Sequence, residues 1–447
     1  MNENDLVIIG GGIIGLAVAN DIIKRNSKLK ILLVEKDTNV ASQQSGHNSG
    51  VIHSGIYYKP GSFKAQFCVE GRASMTKFCQ ENEIPVWTCG KLIVATKESD
   101  IPKIDNLYER GTANNVEGLK VLNPDESREI EPYVKSLKSL HAPGTGIVNY
   151  ETVTEVYAEQ FKKNGGEILL DTKVIGSKKE NNKIVVETNK GEIHTKKVIN
   201  CAGLHSDRIA KMFGLETNLK IIPFRGEYYT LKKEKEYLVK GLIYPVPNPE
   251  LPFLGVHFTQ TMKGVVEAGP NAVLATKREG YRKRDISIKD TLDTFTYSGF
   301  WKLFKNDWKT GIWEVNRSLR KKIFVNSLRE LIPQVNDFDL GTGGSGVRAQ
   351  AVAPNGDLID DFKIESGDNS IHVLNAPSPG ATSSLVIGKY IGNLAAKEFG
   401  YWSYSIKNES TINAEGIHST KNIISPSNPF TAAPNNPVIS MAVINIG

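Results

Sequence analysis

Residues 6–15 read Leu-Val-Ile-Ile-Gly-Gly-Gly-Ile-Ile-Gly and join a short apolar run to a glycine-rich turn. The glycines fit the pattern G-x-G-x-x-G, and apolar residues at helical spacing follow over Ile14–Arg25. A second apolar run occupies Ile31–Val34. A strand, a glycine turn, a helix and a second strand in this order predict a βαβ unit.

Each glycine of the turn has a physical reason. Gly10 would permit the tight turn, Gly12 would let the backbone approach a pyrophosphate, and Gly15 would allow the helix to pack closely on the strand. Glu35 ends the second strand and would accept hydrogen bonds from the hydroxyls of an adenosine ribose. The sequence therefore predicts a dinucleotide site, with a purely structural glycine turn as the alternative.

The acidic residue suits both FAD and NAD, but the layout of the chain favours FAD. The glycine motif lies at the N-terminus, and a second strand-like run at Lys197–Asn200 leads into Cys201-Ala202-Gly203 much later. Two-domain FAD oxidoreductases have this layout, because their substrate domain interrupts the nucleotide domain. We expect FAD as the cofactor, and an NAD-dependent dehydrogenase is the alternative.

A second motif at residues 46–58 reads Gly-His-Asn-Ser-Gly-Val-Ile-His-Ser-Gly-Ile-Tyr-Tyr. Two imidazoles, two phenols and three glycines are better suited to a binding or catalytic site than to a hydrophobic core. His47 and His53 are six residues apart, so in an extended segment both side chains would point to the same face. Either could remove a hydroxyl proton, because histidine titrates near neutrality. The alternative is that they only hydrogen-bond the loop.

Five motifs in the chain occupy residues 46–59, 89–95, 269–275, 346–350 and 375–379. Together they resemble those of the L-2-hydroxyglutarate dehydrogenases and oxidases, in the FAD-dependent oxidoreductase superfamily of the D-amino-acid-oxidase type. The resemblance covers about residues 5–400. It implies FAD, oxidation of L-2-hydroxyglutarate to 2-oxoglutarate, and transfer of electrons to a membrane quinone pool or to oxygen. It also implies a mitochondrial location or a peripheral one at the inner face of a membrane.

The expected fold is α/β, with a discontinuous Rossmann-like FAD-binding domain and a second, mixed α+β substrate domain. We expect residues 1–90, 150–215 and 340–400 in the FAD-binding domain, and residues 91–149 and 216–339 in the substrate domain. A helical stretch at about 286–329 carries eight aromatic residues that could form a core of their own. Residues 401–447 are rich in Asn, Ser, Pro and Thr and are expected to form a poorly ordered tail.

Two arginines are candidates for binding a dicarboxylate, because the guanidinium fork matches a carboxylate. Arg225 and Arg348 lie among apolar and glycine residues instead of in charge runs, and a buried structural ion pair is the alternative for each. His53 is the first choice for the base and His47 the second. Lesser candidates are Tyr57, Tyr58, Tyr244 and His257.

Two further segments, Gly343–Gly346 and Pro379–Ser384, consist mainly of small residues that would let the backbone approach a ligand. The second would open the last helix, whose N-terminal amides could stabilise negative charge on a reduced flavin. Capping of this helix by Thr382 or Ser383 is compatible with that role. The residues expected at the FAD are Gly10, Gly12, Gly15, Glu35, Ser45, Gly46, Asn48, Ser49, Ala202, Gly203, Gly346, Thr382 and Ser383.

Composition excludes several other classes of protein. The net charge of +6 comes from basic residues interspersed with acids, which gives no nucleic-acid footprint. The four cysteines lack metal-ligand spacing, so no metal is expected. We find neither a cleavable presequence nor a membrane-spanning run, and peripheral membrane contact is compatible with this. Competing functions are an amine or amino-acid oxidase of the same superfamily and a non-catalytic flavin-binding module.

Overall fold

The computed structural model describes residues 3–180, 183–247 and 255–401. Two large β-sheets dominate this part of the chain, and helices cover their faces. The α/β fold expected from the sequence is thereby confirmed. Apart from Tyr401, the predicted tail lies outside the described residues.

The described residues form the following elements. The strands are β1 (Asn4–Ile9), β2 (Ile31–Val34), β3 (Val51–Ile52), β4 (Val86–Trp87), β5 (Lys91–Ala95), β6 (Lys120–Leu122), β7 (Lys138–Ala142), β8 (Gly146–Val148), β9 (Glu167–Leu169), β10 (Val174–Glu180), β11 (Lys183–Thr188), β12 (Gly191–Asn200), β13 (Lys220–Leu231), β14 (Leu242–Pro245), β15 (His257–Gln260), β16 (Val266–Gly269), β17 (Val273–Leu274), β18 (Leu340–Val352), β19 (Lys363–Gly367) and β20 (Ser370–Asn375). The α-helices are α1 (Ile13–Arg25), α2 (Phe63–Glu81), α3 (Ile101–Ala113), α4 (Pro124–Ile130), α5 (Tyr150–Lys163), α6 (Ser206–Met212), α7 (Ile288–Phe295), α8 (Ser298–Leu319), α9 (Lys321–Arg329) and α10 (Ser384–Phe399). Short 3₁₀ helices occupy Glu98–Asp100, Gly203–His205, Lys233–Leu238 and Asp337–Asp339.

The first sheet has the strand order β10-β11-β12-β1-β2-β9, and β20 and β19 extend it from β12. Strand β1 runs parallel to β2 and β12, as the βαβ prediction requires. Alternation along β1 buries Leu6 and Ile8 against α1, α2, α5 and α10. Val7 and Ile9 face the other side, against β10, β11 and α6. Both faces of β1 are therefore covered, which explains its continuous apolar sequence.

The second sheet has the order β17-β13-β16-β15-β14-β5-β7-β6, with β18 along the free side of β13. One face packs on α9, through Leu92 and Val94 among others. The opposite face carries Ile93 and Ala95 and packs on α3 and on the segment after β3. A small third sheet, β3-β8-β4, lies beside it. The second face of the large sheet therefore looks toward the residues that follow β3.

Strand β18 belongs to the second sheet, because it pairs with β13 from Lys220↔Val352 to Leu231↔Leu340. The sequence predicts residues 340–400 in the FAD-binding domain. The backbone hydrogen bonds of the first part of that range lie instead with the expected substrate domain. We propose a domain boundary after Val352, since β19 and β20 return to the first sheet.

The helical stretch 286–329 does not form the separate core that its aromatic residues suggested. Helix α8 instead carries large apolar side chains at spacings of three and four residues on its solvent side. This exposed set, which we name the α8 stripe, comprises Trp301, Phe304, Trp308, Ile312, Val315 and Leu319. Within the described ranges, no helix is both long and apolar enough to cross a membrane.

A buried ion network joins the two sheets. The Arg278 guanidinium, 2% exposed, donates to both carboxylate oxygens of Asp207 on α6, at 2.7 and 2.9 Å. It also donates to the carbonyl of Leu204 at 2.7 Å and approaches Asp293 of α7 at 3.2 Å. Asp207 in turn accepts a hydrogen bond from the backbone N–H of Ile221 on β13. Arg278 therefore links the connection after β12 to the second sheet.

Replacing Arg278 with Met should lower the free energy of unfolding by about 3–5 kcal/mol, because the Asp207 carboxylate would stay buried without its main cation. Urea unfolding followed by circular dichroism measures this change. The matched control is Arg128→Met, which removes an exposed ion pair with Asp125 and should cost less than about 1 kcal/mol. Equal effects of the two substitutions would contradict the assigned role of Arg278.

Candidate active site

The glycine turn between β1 and α1 has the geometry that the sequence predicts. Gly10 has a φ of +112°, and a Cβ atom there would lie 2.5 Å from the carbonyl oxygen of Cys201. A Cβ atom on Gly15 would lie 2.0 Å from the carbonyl oxygen of Gly10. Any side chain at either position would therefore force the turn, the helix and the strand apart.

The space beside the first turn of α1 suits a phosphate group. Gly12 is the N-cap residue, and a Cβ atom there would meet only Ser45 Oγ, at 3.2 Å. Ser45 Oγ itself accepts a hydrogen bond from the Ile13 N–H at 2.9 Å. An anion at this position would face the positive end of the helix dipole, and the open backbone at Gly12 leaves room for it.

Glu35 lies beside this turn at the end of β2. Its carboxylate accepts hydrogen bonds from the backbone N–H groups of Gly11, at 2.6 Å, and Asp37, at 2.9 Å. Burial raises the pKa of Glu35, and these two hydrogen bonds oppose that change. A carboxylate has more lone pairs than these amides occupy, so Glu35 can still accept from ribose hydroxyls. The glycine turn and Glu35 therefore fit an FAD molecule.

The Cys201-Ala202-Gly203 segment packs against the glycine turn. Cys201 N–H donates to the Ile9 carbonyl at 2.8 Å, and the Asn200 side chain accepts from Ala202 N–H at 3.0 Å. Gly203 adopts a φ of +49°. The late Cys201-Ala202-Gly203 motif thus lies next to the glycine turn.

The loop at residues 41–50 contacts both the glycine turn and β18. The Asn48 side chain donates to the carbonyls of Gln44 and Ser45 and accepts from the Gly50 N–H, so it holds the loop itself. A Cβ atom on Gly346 would lie 2.6 Å from the His47 carbonyl oxygen, so β18 touches the loop. Gly46 and Ser49 lie in the same loop.

Thr382 and Ser383 precede α10, but neither side chain caps the helix. Thr382 Oγ1 accepts a hydrogen bond from the His53 N–H at 3.1 Å and lies 2.9 Å from the Tyr150 hydroxyl. Ser383 is buried, and its hydroxyl finds no partner among the described residues. Thr382 therefore fixes the backbone of His53, whereas Ser383 has a polar atom to offer a ligand.

His47 and His53 do not share a face, because the segment between them is not a continuous strand. His47 lies in the exposed loop and stacks on Tyr281 with 4.2 Å between the ring centroids. His53 follows β3 and is more enclosed, with Nε2 3.3 Å from Ser378 Oγ. The expectation of a common extended segment is wrong.

Electrostatics keep the His53 imidazole neutral. Burial lowers the pKa of His53 well below its usual value, and the nearby Lys91 and His257 lower it further. A neutral imidazole can accept a proton at physiological pH. His53 therefore has the protonation state that a base requires.

Several side chains of the second sheet face His53. His257 stacks on Tyr244 with 3.8 Å between centroids, and its Nδ1 lies 2.9 Å from the Gly255 carbonyl oxygen. Burial lowers the pKa of His257 to about 3. Lys91 lies on the same face and was missed by the sequence analysis. Its signal was a lysine at the start of an otherwise apolar strand, in Cys89-Gly-Lys-Leu-Ile-Val-Ala.

The two candidate arginines lie on opposite faces of the second sheet. Arg348 is directly opposite Phe224 on β13, whereas Arg225 is opposite Val347. Directly paired residues share a face, so neighbouring positions point to opposite sides. Burial lowers the pKa of Arg348, and the nearby Tyr228, Glu314 and Tyr244 partly oppose that change.

Arg225 is engaged in a structural arrangement. Its guanidinium, 7% exposed, donates to Glu227 at 3.0 Å and to the carbonyls of Gly280 and Arg282.

Tyr57, by contrast, has a buried hydroxyl with no partner among the described residues, and burial raises its pKa. Within the same residues, no group of three or more His, Cys, Asp or Glu side chains could hold a metal ion.

Comparisons with known proteins identify the family and support the fold. Residues 5–394 match the FAD dependent oxidoreductase family. The L-alpha-glycerophosphate oxidase from Mycoplasma pneumoniae, solved with FAD bound, superposes with a TM-score of 0.71 at 24% identity, over 88% of this chain and 94% of that one. Glycine oxidase from Geobacillus kaustophilus superposes with a TM-score of 0.66 at 18% identity, over 89% and 96%. These two structures establish the fold alone.

Sequence relatives are much closer. L-2-hydroxyglutarate dehydrogenase from Indibacter alkaliphilus is 51% identical, over 88% of this chain and 99% of that protein. The enzyme from Escherichia coli K12 is 46% identical, over 87% and 92%. The mitochondrial enzyme from Mus musculus is also 46% identical, over 88% of each chain. The protein therefore belongs to the FAD-dependent oxidoreductase family and, within it, to the L-2-hydroxyglutarate dehydrogenases.

Proposed function

We propose that this protein oxidises L-2-hydroxyglutarate to 2-oxoglutarate with FAD as its cofactor. The observation that carries the proposal is the 51% identity to the Indibacter alkaliphilus dehydrogenase, which extends over 99% of that relative's length. The match is not confined to one domain. The neutral, enclosed His53 beside a cationic sheet face supplies the groups that such a reaction needs.

The residues described above would have separate roles in this oxidation. The glycine turn and Glu35 would hold FAD, which accepts the hydride of the carbinol carbon when bound. His53 takes the hydroxyl proton, because its imidazole is neutral and its backbone is fixed by Thr382. Arg348 would bind a substrate carboxylate from the face that looks toward His53. Arg225 has no such role here, because Glu227 and two carbonyls already take its donors.

Amine or amino-acid oxidation is the weaker alternative. The similar structures named glycine oxidase share only 18% and 19% identity, whereas the curated L-2-hydroxyglutarate dehydrogenases share 44–51%. A non-catalytic flavin-binding module would not need a neutral histidine facing buried cations. We therefore retain the hydroxy-acid reaction as the function to test.

Substituting His53 with Gln should reduce kcat by about 10²- to 10⁴-fold, because the reaction would lose its general base. Steady-state kinetics with an artificial electron acceptor measure the change, and visible absorbance shows whether FAD is retained. His194→Gln, in the distant strand β12, is the control and should leave kcat unchanged. A larger loss in His47→Gln than in His53→Gln would transfer the role to His47.

The pH profile gives an independent check on the same residue. Because the pKa of His53 lies well below 6.5, the imidazole stays neutral as the pH falls through 6.5. The acid limb of kcat/KM in the unmodified enzyme should therefore lie below pH 6.5 and should be absent in the His53→Gln variant. An acid limb that persists unchanged in the variant would exclude His53 as the base.

We also propose that the electrons pass to a membrane quinone and that the α8 stripe meets the bilayer. Within the stripe, Trp301 is 50% exposed and Phe304 is 43% exposed. Exposed basic residues lie close by in the chain, which would favour anionic lipid. They are Arg282, Lys283, Arg284, Lys289, Lys302 and Lys305. We propose a peripheral location at the inner face of a membrane. No organelle is assigned, because the Mus musculus relative is named mitochondrial and the Escherichia coli relative is not.

The double variant Phe304→Ser/Ile312→Ser should bind vesicles of phosphatidylglycerol and phosphatidylcholine about 10-fold or more weakly, because it removes apolar surface from the stripe. Flotation of the full chain measures binding. The control is Ile175→Ser, which removes a similarly exposed apolar side chain from β10. Unchanged flotation of the double variant would contradict the membrane assignment.

A further inference from the structure

Lys91 is a buried cation to which no described residue offers an anion. The residue is 2% exposed, and its Nζ atom lies 4.2 Å from the ring centroid of Tyr244 and 5.3 Å from that of Tyr57. In the described part of the chain, neither a carboxylate nor another hydrogen-bond acceptor contacts the ammonium. Aromatic faces offset only part of the cost of burying a charge. The three N–H donors of Lys91 are thus available to a ligand.

The position of Lys91 is fixed by the register of the second sheet. Strand β14 pairs with β5 so that Tyr244 lies opposite Ile93, two residues from Lys91. Residues two apart on a strand share a face, which places Lys91, Ile93 and Tyr244 on one side. His257 stacks on Tyr244 on that same side. This face looks toward His53, since Lys91 and His257 both depress the His53 pKa.

Arg348 approaches the same place from β18. Both Lys91 and Arg348 lower the pKa of His257, so this imidazole lies near both cations. Burial lowers the pKa of Lys91 to about 8, which leaves the ammonium largely protonated at neutral pH. Two cations and two neutral imidazoles therefore face one space. No described carboxylate ion-pairs with Lys91, and a bound anion would balance the charge of its ammonium.

We propose that Lys91 is a substrate-binding residue that holds one of the two carboxylates of L-2-hydroxyglutarate while Arg348 holds the other. This inference rests on the proposed function and adds the reason for selecting a dicarboxylate. A monocarboxylate bound at Arg348 would leave the buried Lys91 ammonium without an anion, which is costly. Lys91 and Arg348 together thus set the length and charge of the substrate, and His53 addresses the hydroxyl between them.

The test compares two unreactive ligands, glutarate and valerate, which have five carbons and differ in one carboxylate. Binding to the FAD-loaded protein is followed by perturbation of the visible flavin spectrum. The unmodified protein should prefer glutarate by about 10- to 100-fold, because each charged hydrogen-bonded contact contributes about that much. Lys91→Met should bring glutarate down to the level of valerate. Valerate itself should bind nearly as before, because it can use Arg348.

The control is Lys120→Met, which removes the same charge from the exposed outer strand β6 and should preserve the preference for glutarate. Lys91→Arg should restore part of the preference. An unchanged ratio in Lys91→Met, an equal weakening of both ligands, or loss of FAD from the variant would overturn the proposal. Loss of FAD would place Lys91 at the cofactor instead.

Failure of the proposed function would look different. If the unmodified protein prefers glutarate but does not oxidise L-2-hydroxyglutarate, the dicarboxylate site stands and the reaction is wrong. If it oxidises L-2-hydroxyglutarate but Lys91→Met keeps the ligand preference, only the role of Lys91 is wrong.

Discussion

The contact between the glycine turn and the Cys201 carbonyl is the constraint on which the first sheet depends. The Gly10 Cα and the Cys201 backbone are so close that no side chain fits between them. This contact locks the first βαβ unit to β12, which arrives almost two hundred residues later in the chain. The same close packing leaves the amide end of α1 open beside Gly12. Cofactor binding and the closure of the sheet therefore have one common cause.

We propose that the second sheet binds the substrate. Its face toward His53 carries Lys91, Tyr244 and His257, and Arg348 joins them from β18. Burial has opposite consequences for the two kinds of group. It keeps the His53 and His257 imidazoles neutral, and it leaves the Lys91 ammonium in need of an anion. The proposed base and the proposed carboxylate site would thus both depend on the same exclusion of water.

Local patterns in the sequence were sufficient for the first βαβ unit, because its glycine turn and flanking strands are contiguous. Residue composition also pointed to His53 as a base, and that role stays a prediction. Lys91 was missed because its environment depends on Tyr57 and Tyr244, which lie in other segments. Arg225 and Arg348 looked alike because their neighbours in sequence are alike, and only the register of β13 against β18 separates them. The aromatic residues of α8 suggested a core, since sequence spacing identifies an apolar face without saying what covers it.

L-2-hydroxyglutarate should reduce the flavin of this protein. The decisive experiment is anaerobic addition of that compound to the purified, FAD-loaded protein, with D-2-hydroxyglutarate and glycine as controls. We expect the visible flavin band to bleach with the L-enantiomer alone. A band that none of the three compounds bleaches, or that glycine bleaches, would contradict it.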